Sequence, residues 1–494
     1  MDMQKRIIVI GAGFAGLSAA AVLAKAGHNV TIVEQNDQAG GRARIWQKDG
    51  FTFDMGPSWY WMPDVFENYF ALFGKKISDY YNLKRLDPGY RIYYGKDDLM
   101  DIPADMRALE ALFEQTEPGS SVALREFLKQ AAYKYKVAMS DYVFRPSHSI
   151  TEFIDLKLII QSLRIQMLGN MSKHVRRYFK NPKLVKLLEF PVLFLGATPQ
   201  NTPAMYSLMN YADLAMGTWH PMGGMHQIVK AMVAVAEELG VEIKLNTEVT
   251  KINVIDKHAE SVETSQGTLE ADFIVAGADY EHVDQQLIQK AHRNYDEKYW
   301  DKRTMSPSSL LFYIGTNKKV TGIQHHNLFF DEDFEQHAAD IYTDPKWPGK
   351  PLFYVSCTSK TDDTVAPEGC ENLFFLMPIA PGLPDDEQTR EKYFAVMMDR
   401  FERITGQSIR ESIVLKRSYA LNDFQTDYHS YKGNAYGLAN TLKQTAFFKP
   451  AMRAKHIQNM LYTGQLTIPG PGVPPAIISG QVAAKEAIKL MEEG

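Results

Sequence analysis

The sequence predicts an α/β protein built on a parallel sheet, with other segments inserted between its strands. Three stretches carry that prediction. Residues 6–34 read strand, glycine turn, helix, strand. Residues 271–279 read as a buried strand running into glycine. Residues 459–491 read strand, glycine-rich turn, final helix. A chain of 494 residues is long enough for two or more domains or one large interrupted one. Its net charge of −5 argues against general nucleic-acid binding.

The first stretch is RIIVIGAGFAGLSAAAVLAKAGHNVTIVE, Arg6 to Glu34. Ile7 to Ile10 is a short, β-branched apolar run, as a buried strand requires. Gly11, Gly13 and Gly16 follow with G-x-G-x-x-G spacing. Gly11 permits the tight turn, Gly13 leaves room for a pyrophosphate, and Gly16 lets helix and strand pack closely. The helix start offers free N–H groups and the positive dipole end to phosphate. Glu34, closing the second strand, is placed to accept hydrogen bonds from ribose hydroxyls. Strand, glycines, helix, strand and acid in order make this a Rossmann-like dinucleotide site rather than an ordinary glycine turn. In Ala39 to Arg44, Gly40 and Gly41 allow a turn, and Arg42 and Arg44 are within reach of a phosphate or ring oxygen.

From Gly11 to Ser58 the chain resembles the N-terminus of the FAD-dependent phytoene desaturase family, which is related to the flavin amine oxidases. The doubled glycine, Arg42, Gly50-Phe51 and Asp54-Met55-Gly56-Pro57-Ser58 carry the resemblance. It implies that Gly11, Gly13, Ala15, Gly16, Glu34, Gly41 and Arg42 bind FAD, with Gly56, Pro57 and Ser58 near the isoalloxazine ring. It extends to the turn Trp219-His220-Pro221-Met222-Gly223-Gly224-Met225 and to Val249, whose backbone would meet the adenine. At the C-terminus it covers Thr463-Gly464, Gly472-Val473-Pro474 and Ser479-Gly480. N–H groups at that last helix start would stabilise negative charge on the reduced flavin. Pro475 departs from the family's commoner G-V-P-G.

The resemblance implies a discontinuous FAD domain from residues 1–75, 222–285 and 415–494. An inserted α+β substrate domain would come from residues 76–221 and 286–414. Runs at Ser309 to Ile314, Leu352 to Ser356 and Asn372 to Met377 read as its sheet floor, with His325 and His326 on a loop. Trp59 and Trp61 suit the wall of an apolar channel, although core packing accounts for them equally well. Trp219 is a further substrate candidate. Weak catalytic candidates are Glu152, Asp155 and His220, the last because an imidazole titrates near neutral pH.

Residues 153–186 combine apolar positions at helical spacing with lysines and arginines, and no acid interrupts Lys157 to Lys186. A basic amphipathic helix of this kind is attracted to an anionic bilayer surface, while a solvated helix over the core is the plainer reading. No apolar run reaches about 18 residues, so no spanning helix is expected. The first strand begins too soon to leave room for a signal peptide. Cys357 and Cys370 make neither a disulfide framework nor a zinc site, and no other metal spacing is present. The expected location is cytoplasmic and peripheral to a membrane.

The implied activity is carotenoid desaturation. Flavin N5 takes a hydride from an allylic carbon of phytoene or of a later, hydroxylated polyene (3,4-desaturation among the options). The lack of a second dinucleotide motif points to oxygen or a quinone as electron acceptor. A carotene cis–trans isomerase, an amine oxidase and a prenyl-protein-binding scaffold remain alternatives at this stage.

Overall fold

The computed structural model describes residues 4–146, 169–441, 443–445 and 448–493. A five-stranded parallel sheet runs, in spatial order, Met460–Tyr462, Phe273–Ala276, Arg6–Ile10, Asn29–Val33 and Glu242–Lys244. The central strand alternates. Ile7 and Val9 pack into one core, and Ile8 and Ile10 into another on the opposite face. Burial on both faces explains its continuous apolar run.

The helix Phe14–Lys25 covers the first face together with the helices His226–Glu238 and Val473–Glu493. Its alanines at 19, 20 and 21 are wholly buried, so the C-terminal helix lies close against it. Ser18 Oγ donates to Ile477 O at 2.7 Å across that contact. A Cβ added at Gly480 would lie 2.2 Å from Ala15 O, and one at Gly16 would lie 2.0 Å from Gly11 O. The opposite face carries the antiparallel sheet Val249–Ile255, His258–Thr264 and Gly267–Glu270.

A second, mixed sheet has seven strands, in the order Ile413–Tyr419, Ser308–Thr316, Glu371–Ile379, Phe353–Ser356, His326–Phe329, Tyr90–Tyr93 and Leu99–Ile102. All nine residues of Ser308–Thr316 are buried, and their side chains divide between two cores. Leu310, Phe312 and Ile314 meet Met397, Phe401 and Ile404 of the helix Glu387–Thr405. Leu311 and Tyr313 face the dinucleotide sheet's side of the molecule. Strand periodicity, with side chains alternating between faces, produces this division. Tyr313 Oη donates to Met55 O at 2.7 Å, and Asn372 Nδ2 to Thr52 O at 2.8 Å, which ties the sheet to the hairpin Ile45–Asp54. Asp54 then caps the helix His226–Glu238, accepting from Met225 N and His226 N. Burial pushes its carboxyl up to about 6 despite those bonds.

Two expectations change. His325 and His326 are buried, and His326 opens a strand instead of lying on a loop, because the seven-stranded sheet closes over it. Within the basic segment, residues 153–168, with Glu152 and Asp155 beside and within them, lie outside the described residues. In its described part, Met171, Val175, Leu184, Val185, Leu187 and Leu188 are core residues of the helices Met171–Tyr178 and Pro182–Glu189. Arg176 pairs with Glu189 and Lys183 with Asp98. Those acids come from outside the uninterrupted basic run, so the run alone overstates its net field. Among the described residues, no helix is long and apolar enough to cross a membrane.

The Gly480 contact gives a stability prediction. Gly480→Val places a branched side chain against the Ala15 carbonyl. We expect it to cost about 1–3 kcal/mol or more by overpacking, read as a lower denaturant midpoint. The conservative surface change Lys489→Arg should leave the midpoint in place.

Candidate functional site

One long cavity opens where the parallel sheet meets the seven-stranded one. The turn after the first strand begins it. Gly11 adopts φ +94°, and its N–H donates to Val33 O at 2.8 Å. A Cβ added at Gly13 would meet nothing within 4 Å, so this position opens directly onto the cavity. Ala15, Glu34, Gly41, Arg42 and Val249 also line it. Farther along lie Gly56, Pro57, Ser58, Trp59 and Trp61, then Gly464, Gly472, Val473 and Pro474.

Glu34 is held in place before any ligand arrives. Its carboxylate accepts from Ala12 N at 2.8 Å, Asn36 N at 3.0 Å and Asn36 Nδ2 at 2.8 Å. A carboxylate has about four lone-pair directions, so one is left for a ribose hydroxyl. Arg42 Nη2 donates to Ser430 Oγ at 2.9 Å, while its buried Nε has no hydrogen-bond partner. Burial pulls this guanidinium below its ordinary value, although Asp279 opposes the shift. Burial also pushes Asp279 up to about 6, against the pull of Arg42. An orphaned cationic donor on a cavity wall fits an anionic ligand. Together with the open face of Gly13, it matches the pyrophosphate end of FAD.

The C-terminal helix contributes less than its position implies. Pro474 and Pro475 have no N–H, and Ala476 N donates to Gly472 O at 3.0 Å. Within the first turn, only Val473 keeps an N–H that the helix does not use.

Three expected site residues stand elsewhere. Gly16 does not line the cavity; its missing side chain is needed for the approach of Gly11 O. Trp219 is turned away, with Nε1 donating to Met216 O at 2.9 Å and the Arg85 guanidinium over its ring. His220 is sealed behind the wall, 1% exposed, with Nε2 3.1 Å from Asp362 Oδ2. Both belong to the strand Trp219–Pro221, which pairs with Leu83–Arg85; neighbours in a strand point to opposite faces, and here Trp219 turns to Arg85 while His220 turns to Asp362.

Sequence reading missed the opposite wall. Ser309, Leu311, Tyr354 and Leu376 come from the inward face of the seven-stranded sheet. Asp427 and Tyr428 come from the helix Leu421–Tyr428 and its end, and both Arg42 and Arg44 lie over the Tyr428 ring. Alternation marked the strands, but no local motif says which face meets a ligand. Among the described residues, no group of three or more His, Cys, Asp or Glu is arranged to hold a metal.

Residues 14–488 match the family of flavin containing amine oxidoreductases. This chain belongs to that family. The flavin oxidoreductase is 41% identical to a carotenoid 3,4-desaturase of Haloarcula japonica over 485 residues, 98% of each chain. It is 32% identical to a 4,4'-diapophytoene desaturase (4,4'-diaponeurosporene-forming) of Staphylococcus aureus, covering 99% of this chain and all of the relative. A solved structure of a putrescine oxidase double mutant superposes with a TM-score of 0.64 at 14% identity, covering 99% of both chains, and shows the shared fold. The protein is an FAD-dependent oxidoreductase.

The two glycines of the turn separate binding from folding. Gly13→Val leaves packing untouched but projects into the cavity. We expect FAD affinity to fall by about tenfold or more, measured by flavin fluorescence titration, with the apoprotein's denaturation curve unchanged. Gly16→Val should instead reduce the yield of folded protein.

Proposed function

We propose that this flavoprotein desaturates a long carotenoid, and that its preferred substrate carries a hydroxyl near one end. The observation that carries the reading is an apolar annex beyond the FAD cavity. Tyr354, Leu376 and Tyr436 line both spaces. Past them, Phe330, Phe334, Ile341 and Leu352 wall the annex. A hydrocarbon offers no polar handle, so a long apolar enclosure must position it by shape. Trp59 and Trp61 supply flat walls at the nearer end, their ring centroids 5.2 Å apart. The names of the Haloarcula and Staphylococcus relatives agree with this substrate class.

Bound in the cavity, the flavin would take a hydride from a carbon beside an existing double bond. The chain's own task is to hold that carbon in place and keep water out. Delocalisation along the polyene reduces the need for a strong base.

One polar group supports the hydroxylated substrate. Tyr342 lines the annex, and its hydroxyl is buried without a hydrogen-bond partner. Burial pushes its pKa up, so it is a neutral donor and acceptor. His337, also on the annex wall, is already satisfied: Nδ1 accepts from Leu352 N at 3.0 Å and Nε2 bonds Pro378 O at 2.9 Å. An orphaned buried hydroxyl is costly, and a substrate hydroxyl would relieve it. An amine oxidase substrate would instead leave its cation facing apolar walls.

We also place the nucleotide-binding part at residues 1–75, 222–285 and 415–494, with the substrate part at 76–221 and 286–414. The substrate would be drawn from a bilayer by peripheral contact on the cytoplasmic side, through the basic segment 153–186. Exposed Lys173 and Arg177 support that contact. Electrons would pass from the flavin to oxygen or a quinone.

The test is FAD-loaded protein given phytoene, or a hydroxylated monocyclic carotenoid, in liposomes with oxygen or a quinone. We expect longer conjugation, seen by absorption, with the hydroxylated substrate preferred. An isomer change without longer conjugation would instead make the protein an isomerase. Tyr342→Phe should lower kcat/KM for the hydroxylated substrate about 3- to 12-fold, the value of one hydrogen bond, and leave that for phytoene unchanged.

A further inference from the structure

Close approaches of the backbone order the cavity wall from the glycine turn to the annex. A Cβ added at Gly41 would lie 3.4 Å from Gly13 Cα, and one at Gly56 would lie 2.6 Å from Arg42 O. Two residues past Gly56 comes Ser58, which lines the cavity and is bonded to Tyr354. Tyr354 in turn lines both the cavity and the annex. With its ribose at Glu34 and its pyrophosphate at Gly13 and Arg42, FAD has its flavin end left for the stretch from Gly56 to Tyr354. The walls there are otherwise apolar or aromatic, with Trp59, Trp61 and Leu376 around Ser58 and Tyr354.

The hydrogen bonds at this end run in one direction. Tyr354 Oη donates to Ser58 Oγ at 3.1 Å. A phenol has a single proton, so Tyr354 can only accept from His326, whose Nδ1 lies 2.6 Å from Oη. His326 therefore carries its N–H on Nδ1 and its lone pair on Nε2, a tautomer assigned from its partners. Nε2 is buried without a hydrogen-bond partner. Burial, with the His220 ring nearby, holds the imidazole well below its usual range, so it is neutral at pH 7. Stacking on Trp59 fixes the ring, with centroids 4.2 Å apart and planes 11° apart. At the other end of the chain, Ser58 Oγ accepts from Tyr354 and finds no acceptor for its own proton among the described residues. That proton is left to the cavity. Each donor in such a chain polarises the next, so the last hydroxyl is the strongest donor of the three.

We propose that Ser58 is the hydrogen-bond donor that holds the flavin ring and stabilises the charge it gains on reduction, with Tyr354 and His326 as positioning residues that aim its proton. A hydride delivered to a neutral ring brings one negative charge, shared among ring nitrogens and oxygens that accept hydrogen bonds. A donor already in place stabilises that charge without reorganising when it arrives. The cost of an orphaned nitrogen at His326 is then offset where the chain ends. The inference depends on FAD in this cavity and is independent of which substrate supplies the hydride.

The test is the two-electron midpoint potential of the FAD-loaded protein, read by equilibration with a reference dye in the absence of substrate. Ser58→Ala removes the donor. We expect the equilibrium for reduction to fall about tenfold, which places the potential about 30 mV lower. Ser58→Thr keeps a hydroxyl and should stay within about threefold of wild type. Tyr354→Phe keeps the ring and frees the serine hydroxyl from its guide, for a fall of about threefold. Added to Ser58→Ala, Tyr354→Phe should lower the potential no further, because it acts only through the serine. A merely structural tyrosine would not give that non-additive pattern. The proposal is overturned if Ser58→Ala keeps the wild-type potential, and the role of Tyr354 is overturned if the two shifts add. Should Ser58→Ala bind no FAD, Tyr354→Phe decides, and a wild-type potential there overturns the proposal. Because no substrate is present, a failure of the desaturase reading in liposomes leaves these potentials standing, and the two readings fail separately.

Discussion

The approach of one backbone to another at the first turn is the constraint on which the rest depends. Gly16 must lack a side chain because the Gly11 carbonyl lies where its Cβ would be. That contact sets the helix Phe14–Lys25 on the sheet. Gly480 extends the same logic outward, letting the last helix lie against Ala15 and Ser18. With both contacts made, Gly13 and Val473, about 460 residues apart in sequence, face one cavity. Glycines here act through excluded volume more than through flexibility.

The seven-stranded sheet does two jobs because strand side chains alternate. One face builds a core with the helix Glu387–Thr405, and the other supplies the cavity with Ser309, Leu311, Tyr354 and Leu376. A register slip of one residue would exchange the two sets. The broad burial of these strands therefore gives both a rigid support and a specific apolar surface. The few polar atoms left on that surface then stand out against an environment that offers them little else.

What was legible in the sequence was local. The strand at Ile7 to Ile10, the glycine turn and Glu34 lie within 30 residues, and the structure places Gly13 and Glu34 on one wall. Trp219 and His220 were misread because the partners that hold them off the cavity, Arg85 and Asp362, each lie more than 130 residues away in the chain. The basic run seemed unopposed because Asp98 and Glu189 lie beyond its ends. Tyr342 carried no motif. Its importance comes from burial and from a hydroxyl that lacks a partner, and neither property exists before the chain is folded.

The parallel sheet takes its strands from residues 6–33, 242–276 and 460–462. During synthesis the first strand and its alanine-rich helix emerge long before the edge strand and final helix that cover them. Such non-local pairing is slow and leaves apolar surface exposed while it waits. The ribosome must therefore release nearly the whole chain before the cavity has both walls. Nascent protein would depend on chaperone protection through that interval, and cofactor capture would mark its end.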